Sequence, residues 1–145
     1  MTQHCDDPVI LNQWHPLSSF NEIVVGQKHR TVLLGRSLFY QQTAQGELFV
    51  WSCDNVSFVL PTKRAYGFLW TSLGIPPDEL FAVGEIDEPD RQNVATGVFG
   101  VNVSFGRAIE NFLDMGHFPF VHTGILGEEP HTEVKEYDVD VSESR

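Results

Sequence analysis

The residues with the clearest chemistry are two histidines and two polar neighbours in one short stretch, Asn111, Asp114, His117 and His122. Neutral imidazoles beside a carboxylate are a typical ligand set for non-haem iron or zinc. On one straight α-helix, residues five apart point roughly 140° away from each other. His117 and His122 can therefore serve a common metal ion only if the helix is interrupted between them.

The sequence supplies such an interruption at Gly116 and Pro119. Glycine commonly ends a helix, and proline, which lacks the N–H of an interior position, suits the first turn of a new helix. We predict one helix that ends near Met115 and a second that begins near Pro119. The first helix carries an apolar stripe that we expect to pack in the interior, formed by Phe105, Ile109, Phe112 and Leu113.

Two interpretations of this stretch are open on residue types alone. In the first, the imidazoles are metal ligands. In the second, Asp114 and His117 form an ion pair at a helix end and His122 is a surface residue. Residue types alone leave both interpretations open. The whole pattern is Asn111-x2-Asp114-x2-His117-x4-His122 followed by Thr-Gly-Ile-Leu-Gly.

This pattern resembles the mononuclear-iron segment of the large (alpha) subunit of Rieske-type non-haem iron ring-hydroxylating oxygenases. The resemblance implies that His117 and His122 are iron ligands. It also implies catalytic roles for Asn111 and Asp114, with Asp114 linking the iron to the iron–sulfur cluster of a neighbouring subunit.

The likeness covers most of the chain, from about residue 13 to residue 139, but the cluster ligands are missing. Segments 34–38 and 65–74 resemble strands of the Rieske domain. A Rieske cluster needs two cysteine thiolates and two imidazoles, whereas the span from Trp51 to Ala65 contains Cys53 and no histidine. We therefore expect a short, degenerate relative that binds no [2Fe–2S] cluster.

The second departure from the family concerns the third iron ligand. In the family a carboxylate far downstream completes the site under a large sheet, and this sequence stops shortly after residue 139. Nothing in the spacing selects a substitute among Glu128, Glu129, Asp138 and Asp140. A site with two protein ligands is open, so we expect Fe(II) binding to be weak or to need another chain.

Short β-strands separated by turn residues dominate the first two thirds of the chain. The residue pattern predicts strands at 31–34, 37–41, 48–52, 56–60, 67–72, 82–86 and 94–105. The predicted fold class is α+β: a small antiparallel β-sandwich or barrel, similar to a Rieske domain without its cluster lobe, and then a helical segment with the His-x4-His motif. The expected organisation is a polar leader at 1–12, the β domain at 13–103 and the start of a catalytic-domain-like segment at 104–145.

Charge and cysteine content exclude several classes of partner. The 145 residues carry a formal net charge of −11, which disfavours binding to the phosphate backbone of nucleic acids. No apolar run is long enough for a signal peptide or a membrane span, and the two cysteines have no pairing framework around them. We therefore expect a cytoplasmic protein that binds neither nucleic acid nor membrane.

Three functions are compatible with this pattern, and whether the chain is an enzyme stays open. The favoured function is a shortened or accessory module, unable to catalyse alone, that forms a homo-oligomer or pairs with a full-length oxygenase subunit. Such association would cover apolar surface near Phe118, Phe120 and Ile125. The alternatives are a functional oxygenase subunit, with iron on His117 and His122 and electrons from a cluster on another chain, and a small-ligand binding protein.

Overall fold

The computed structural model describes residues 4–55, 57–94 and 97–138. The chain divides into two compact units, Met1–Phe99 and Gly100–Arg145. The first unit contains α1 (Pro8–Leu11), β1 (His15–Ser19), β2 (Lys28–Leu33), β3 (Arg36–Gln42), β4 (Leu48–Ser52), β5 (Thr62–Ala65) and β6 (Phe68–Thr71). The second unit contains α2 (Phe105–Leu113) and α3 (Phe118–Val121).

Strands β2, β3 and β4 form an antiparallel meander. Its first turn has Leu34 and Gly35 at its centre, with φ angles of +49° and +83°. Two successive residues in the left-handed region are what a two-residue hairpin turn requires. In its second turn the amide of Thr43 donates to the carbonyl of Glu47 at 2.9 Å, and Gly46 has a φ of +88°. The three predicted strands in this region are confirmed, with ends that shift by up to three residues.

The other sheet has the antiparallel order β1–β6–β5. Tyr66 and Gly67, with φ angles of +54° and +78°, form the turn between β5 and β6. Strand β1 pairs along β6 from a distant part of the sequence. The sequence pattern missed β1, because its residues His-Pro-Leu-Ser-Ser lack a run of β-branched or aromatic side chains. It also missed β5, which has the sequence Thr-Lys-Arg-Ala.

One hydrophobic core joins the two sheets of the first unit. Leu17 of β1 and Leu69 of β6 contribute from one sheet, and Leu38 and Val50 contribute from the other. The hydroxyl of Tyr40, also buried, donates to Ser18 Oγ at 3.3 Å, so this polar group does not stay unpaired in the interior. The structure confirms a β-rich α+β fold built from antiparallel sheets.

Two predicted strands near the middle of the chain are wrong within the described residues. The segment predicted as a strand at 82–86 contains a 3₁₀ turn at Gly84–Asp87. Residues 57–60 make one isolated bridge, between Val59 and Trp51, and residue 56 lies outside the described residues. Apolar residues occur in both segments, but in neither does a neighbouring strand complete a ladder of hydrogen bonds.

The predicted strand at 94–105 is also wrong for its described part. Residues 97–104 form no strand, residues 95 and 96 lie outside the description, and Phe105 is already the first residue of α2. Gly97 has a φ of +98°, which is incompatible with an extended strand. The amide of Val98 instead donates to Glu22 Oε1 at 3.5 Å.

Helix α2 has an apolar side that is exposed to solvent. Its N-cap is Ser104, whose hydroxyl accepts from the amide of Arg107 at 3.4 Å. Phe105 is 83% exposed and Phe112 is 80% exposed, and Ile109 and Leu113 are also exposed. The expectation that this stripe packs in the interior is therefore wrong. Within the described ranges, no helix is long and apolar enough to cross a membrane.

Candidate metal centre

Helix α2 ends at a turn that Asp114 closes. The amide of Asp114 donates to the carbonyl of Glu110 at 3.0 Å, the last hydrogen bond of the helix. Its side chain then accepts from the amide of Gly116 through Oδ1 at 2.8 Å. This local side-chain hydrogen bond offers the backbone an alternative to continuing the helix. A Cβ atom at Gly116 would lie 3.1 Å from Asp114 Oδ1, so glycine allows the turn to close tightly.

Helix α3 begins directly after this turn. His117 is its N-cap, Pro119 occupies the second helical position and is buried, and His122 is the C-cap. Proline is tolerated there because the first amides of a helix have no partner within it. The predicted break in the helix is therefore present, and both helix ends lie within two residues of their expected positions. It precedes His117 and does not separate the two histidines, which cap the two ends of α3.

The two imidazoles lie close together at the two ends of α3. The ring centroids of His117 and His122 are 5.3 Å apart, with their planes at 59°. Nδ1 of His117 is buried and lies 3.4 Å from Asp114 Oδ2. This approach is a close contact rather than a formed hydrogen bond, because Nδ1 has no partner of good geometry among the residues that the structure covers. Asp114 thus uses one oxygen for the turn at Gly116 and directs the other toward His117.

The sequence pattern missed Phe118 as part of this site. Its ring lies 4.8 Å from the His117 ring and 5.9 Å from the His122 ring, measured between centroids. The available signal was its position four residues before His122, since residues four apart are neighbours on one helix face.

The described part of the chain supplies no third ligand to the pair. It contains no group of three or more His, Cys, Asp or Glu residues that could hold a metal ion. Among the candidate carboxylates, Glu128, Glu129 and Asp138 are exposed and complete no ligand group, and Asp140 lies outside the described residues. Asn111 is exposed on α2. The two imidazoles fit two positions of a two-histidine, one-carboxylate iron site and leave the third position open.

A cleft of about 370 Å³ lies in the second unit next to α3. Phe118, Pro119, Met115 and Leu126 form its apolar wall, and residues 131–137 line the rest. Its volume falls at the lower end of the range for small-molecule sites. The cleft shares Phe118 with the imidazole pair, so a molecule bound there would contact a ring that itself contacts both histidines.

Two comparisons with known proteins relate the chain to oxygenases. Residues 101–145 match the family described as "Vanillate O-demethylase oxygenase C-terminal domain", and this segment contains Asp114, His117 and His122. A protein of Pseudomonas sp. (strain TJI-51), named "Probable methylxanthine N7-demethylase NdmC", is 43% identical over 141 residues. The alignment covers 97% of this chain and 49% of the Pseudomonas protein. The chain thus spans about half the length of the curated relative that it matches.

Proposed function

Because this chain is a relative of the Rieske-type oxygenases, we propose that it provides the iron-binding histidines of an oxidative demethylase and acts as an accessory module that does not catalyse alone. The observation that supports this most directly is the convergence of His117 and His122 to 5.3 Å between ring centroids. In the same proposal the first unit is a Rieske-like β domain without its cluster lobe, covering residues 13–103, and residues 104–145 begin the catalytic segment.

The incomplete ligand set argues for dependence on another segment or chain. An iron ion held there would supply the activation of O2, and such iron sites use two histidines and one carboxylate. His117 and His122 would occupy two positions, and the third ligand would come from outside the described residues. Metal bound by two imidazoles alone is weakly held, because each further ligand adds to affinity and shields the ion from water.

The electron supply must also come from elsewhere. The sequence between Trp51 and Ala65 offers one thiolate, Cys53, and no imidazole, so it cannot ligate a Rieske cluster. Electrons would reach the iron from a cluster on another chain, through Asp114. Asp114 suits this role because one of its oxygens lies 3.4 Å from His117 Nδ1 while the side chain is 56% exposed. Asn111, exposed on the preceding helix, would lie on the same route.

The matching family and the Pseudomonas protein are both named as demethylases. Their names favour a reaction that removes a methyl group from nitrogen or oxygen on an aromatic compound. Such a reaction consumes O2, two electrons and two protons for each methyl group. One oxygen atom is inserted into a C–H bond of the methyl group and leaves as part of formaldehyde, and the other oxygen atom becomes water. The cleft beside Phe118 offers an apolar surface for a flat aromatic substrate.

Exposed apolar side chains support association with further chains. Ile125 is 83% exposed and Phe120 is 61% exposed, whereas Phe118 is only partly exposed. Together with the apolar side of α2, they form more uncovered apolar surface than a monomer usually keeps. The partner in this proposal is a second copy of the chain or a full-length oxygenase subunit.

Anaerobic calorimetric titration with Fe(II) tests the metal site. We expect weak binding in the wild-type chain, with a Kd above the micromolar range, and its loss in both His117→Ala and His122→Ala. His131→Ala is the matched control, because His131 lies in the same unit and makes no ring contact with His117 or His122 within the described residues. Absence of binding in the wild type, or equal loss in the control, would contradict the proposal. Micromolar or tighter binding that both site variants lose would favour a complete site and a functional oxygenase subunit.

A further inference from the structure

The ring of Phe118 contacts both imidazoles of the proposed metal site. Its ring stands nearly perpendicular to the His117 ring, at an interplanar angle of 85° and a centroid distance of 4.8 Å. It meets the His122 ring at 74° and 5.9 Å. Edge-to-face contacts of this kind are directional, so each one favours a particular ring orientation.

The local backbone explains why one phenylalanine reaches both rings. Phe118 is the first residue of α3 and His122 is its C-cap, so they are four residues apart on the same helix face. His117 precedes the helix as its N-cap with helical φ and ψ angles, whereas His122 leaves the helical conformation with φ of −112° and ψ of +37°. The Phe118 ring therefore lies beside both imidazoles, and the three rings form a cluster with centroid distances of 4.8, 5.3 and 5.9 Å.

The two imidazoles differ in how many other contacts hold them. His117 also approaches Asp114 Oδ2 at 3.4 Å, and its side chain is 15% exposed. His122 is exposed, and within the described residues its ring contacts are those with Phe118 and His117. Loss of the Phe118 ring would therefore release His122 first, while Asp114 would still restrain His117.

From this geometry we propose that Phe118 is a positioning residue that holds the imidazoles of His117 and His122 in the relative orientation needed to share one metal ion. The proposal rests on the proposed iron-binding function. It assigns to Phe118 a task beyond apolar packing, because a leucine could fill a similar volume but has no ring edge or face to orient an imidazole.

Proton NMR of the metal-free protein with labelled histidine side chains measures the ring arrangement directly. The wild type should show nuclear Overhauser contacts between the two imidazoles, as expected from centroids 5.3 Å apart. Phe118→Leu and Phe118→Met should both lose these contacts, with the larger change in rotamer averaging at His122. Phe118→Tyr should retain them, because it keeps the ring. Phe120→Leu is the matched control, since Phe120 lies in the same helix and has no ring contact with either imidazole within the described residues.

Titration of the same variants with Co(II), read from its absorption spectrum, measures the consequence for metal binding. We expect the Kd to rise about 10-fold or more in Phe118→Leu and Phe118→Met, the effect typical of groups that orient metal ligands. Phe118→Tyr and Phe120→Leu should stay close to the wild type. Unchanged ring contacts and unchanged affinity in both ringless variants would overturn the proposal, and so would absence of inter-ring contacts in the wild type. If the ring contacts behave as expected but the wild type binds no Co(II), the metal function fails while the positioning of the rings by Phe118 stands.

Discussion

Shortening Val50 to alanine tests whether the core of the β unit is where the structure places it. Val50 lies in β4, is 0% exposed and belongs to the core shared by both sheets. Its carbonyl also accepts from the amide of Leu60 at 2.8 Å, but this backbone bond survives the substitution. The change therefore removes side-chain packing and leaves the hydrogen bonding of the strand in place.

The expected cost follows from the burial of the lost atoms. Valine to alanine removes the equivalent of two methylene groups, worth about 1.6 kcal/mol of transfer free energy when fully buried. A residual cavity adds to this, so the free energy of unfolding should fall by about 2–3 kcal/mol. For a unit of this size the midpoint of thermal unfolding falls by about 4–8 °C for each kcal/mol.

Val32→Ala in the same sheet provides the matched control. Val32 lies in β2, the opposite edge strand, and is 61% exposed. The same chemical change should cost only about 0.6 kcal/mol there, in proportion to the buried fraction. Equilibrium unfolding in urea, followed by tryptophan emission, gives both values. Equal losses in the two variants would refute the assignment of inward and outward faces in this sheet.

Further predictions concern a turn, a helix cap and the missing cluster. Gly46→Ala should lower the free energy of unfolding by about 1–2 kcal/mol, because its φ of +88° is unfavourable for alanine. No atom lies within 4 Å of the added Cβ, so the cost is conformational and not steric. Gly84→Ala, with equal space and no positive φ, should be nearly neutral in the same urea titration. Ser104→Ala should destabilise α2 by about 0.5–1 kcal/mol in thermal unfolding followed by far-UV circular dichroism, and Ser104→Asp should keep the cap. The purified protein should show no visible absorption and no reduced-state EPR signal of a [2Fe–2S] centre, because Cys53 alone cannot replace four ligands; a stoichiometric cluster signal would contradict this interpretation of residues 51–65.

Local sequence signals predicted the break between α2 and α3 well. Gly116 and Pro119 act on the backbone within a few residues, so their effect does not depend on the rest of the fold. The closest agreement among the strands is at Leu48–Ser52, which is bounded by a turn with its own hydrogen bonds. In both cases the residues that determine the helix break or the strand end lie within a few positions of it.

Features that depend on distant residues were not predictable in this way. Strand β1 exists because it pairs with β6, about fifty positions later, although its own residues include a proline and two serines. The residues at 97–104 alternate like a strand but find no neighbouring strand within the description. The apolar stripe of α2 predicts that another surface packs against it, but the stripe does not identify which segment or chain provides that surface. The third iron ligand is a problem of the same kind, because local spacing cannot identify a residue that reaches the site from far away.

Asp114 holds the Gly116 turn with Oδ1 and leaves Oδ2 3.4 Å from Nδ1 of His117, and this arrangement favours one tautomer of the ring. A carboxylate oxygen can only accept, so this contact becomes a hydrogen bond when Nδ1 carries the ring hydrogen, and Nε2 then keeps the lone pair that a metal ion requires. Asparagine at this position would keep one oxygen for the turn but would place an NH2 donor against Nδ1. The ring hydrogen would then move to Nε2 and block the metal-binding nitrogen. Asp114→Asn would thus leave both histidines in place and act through the position of a single hydrogen atom, which the nitrogen-15 chemical shifts of His117 would report.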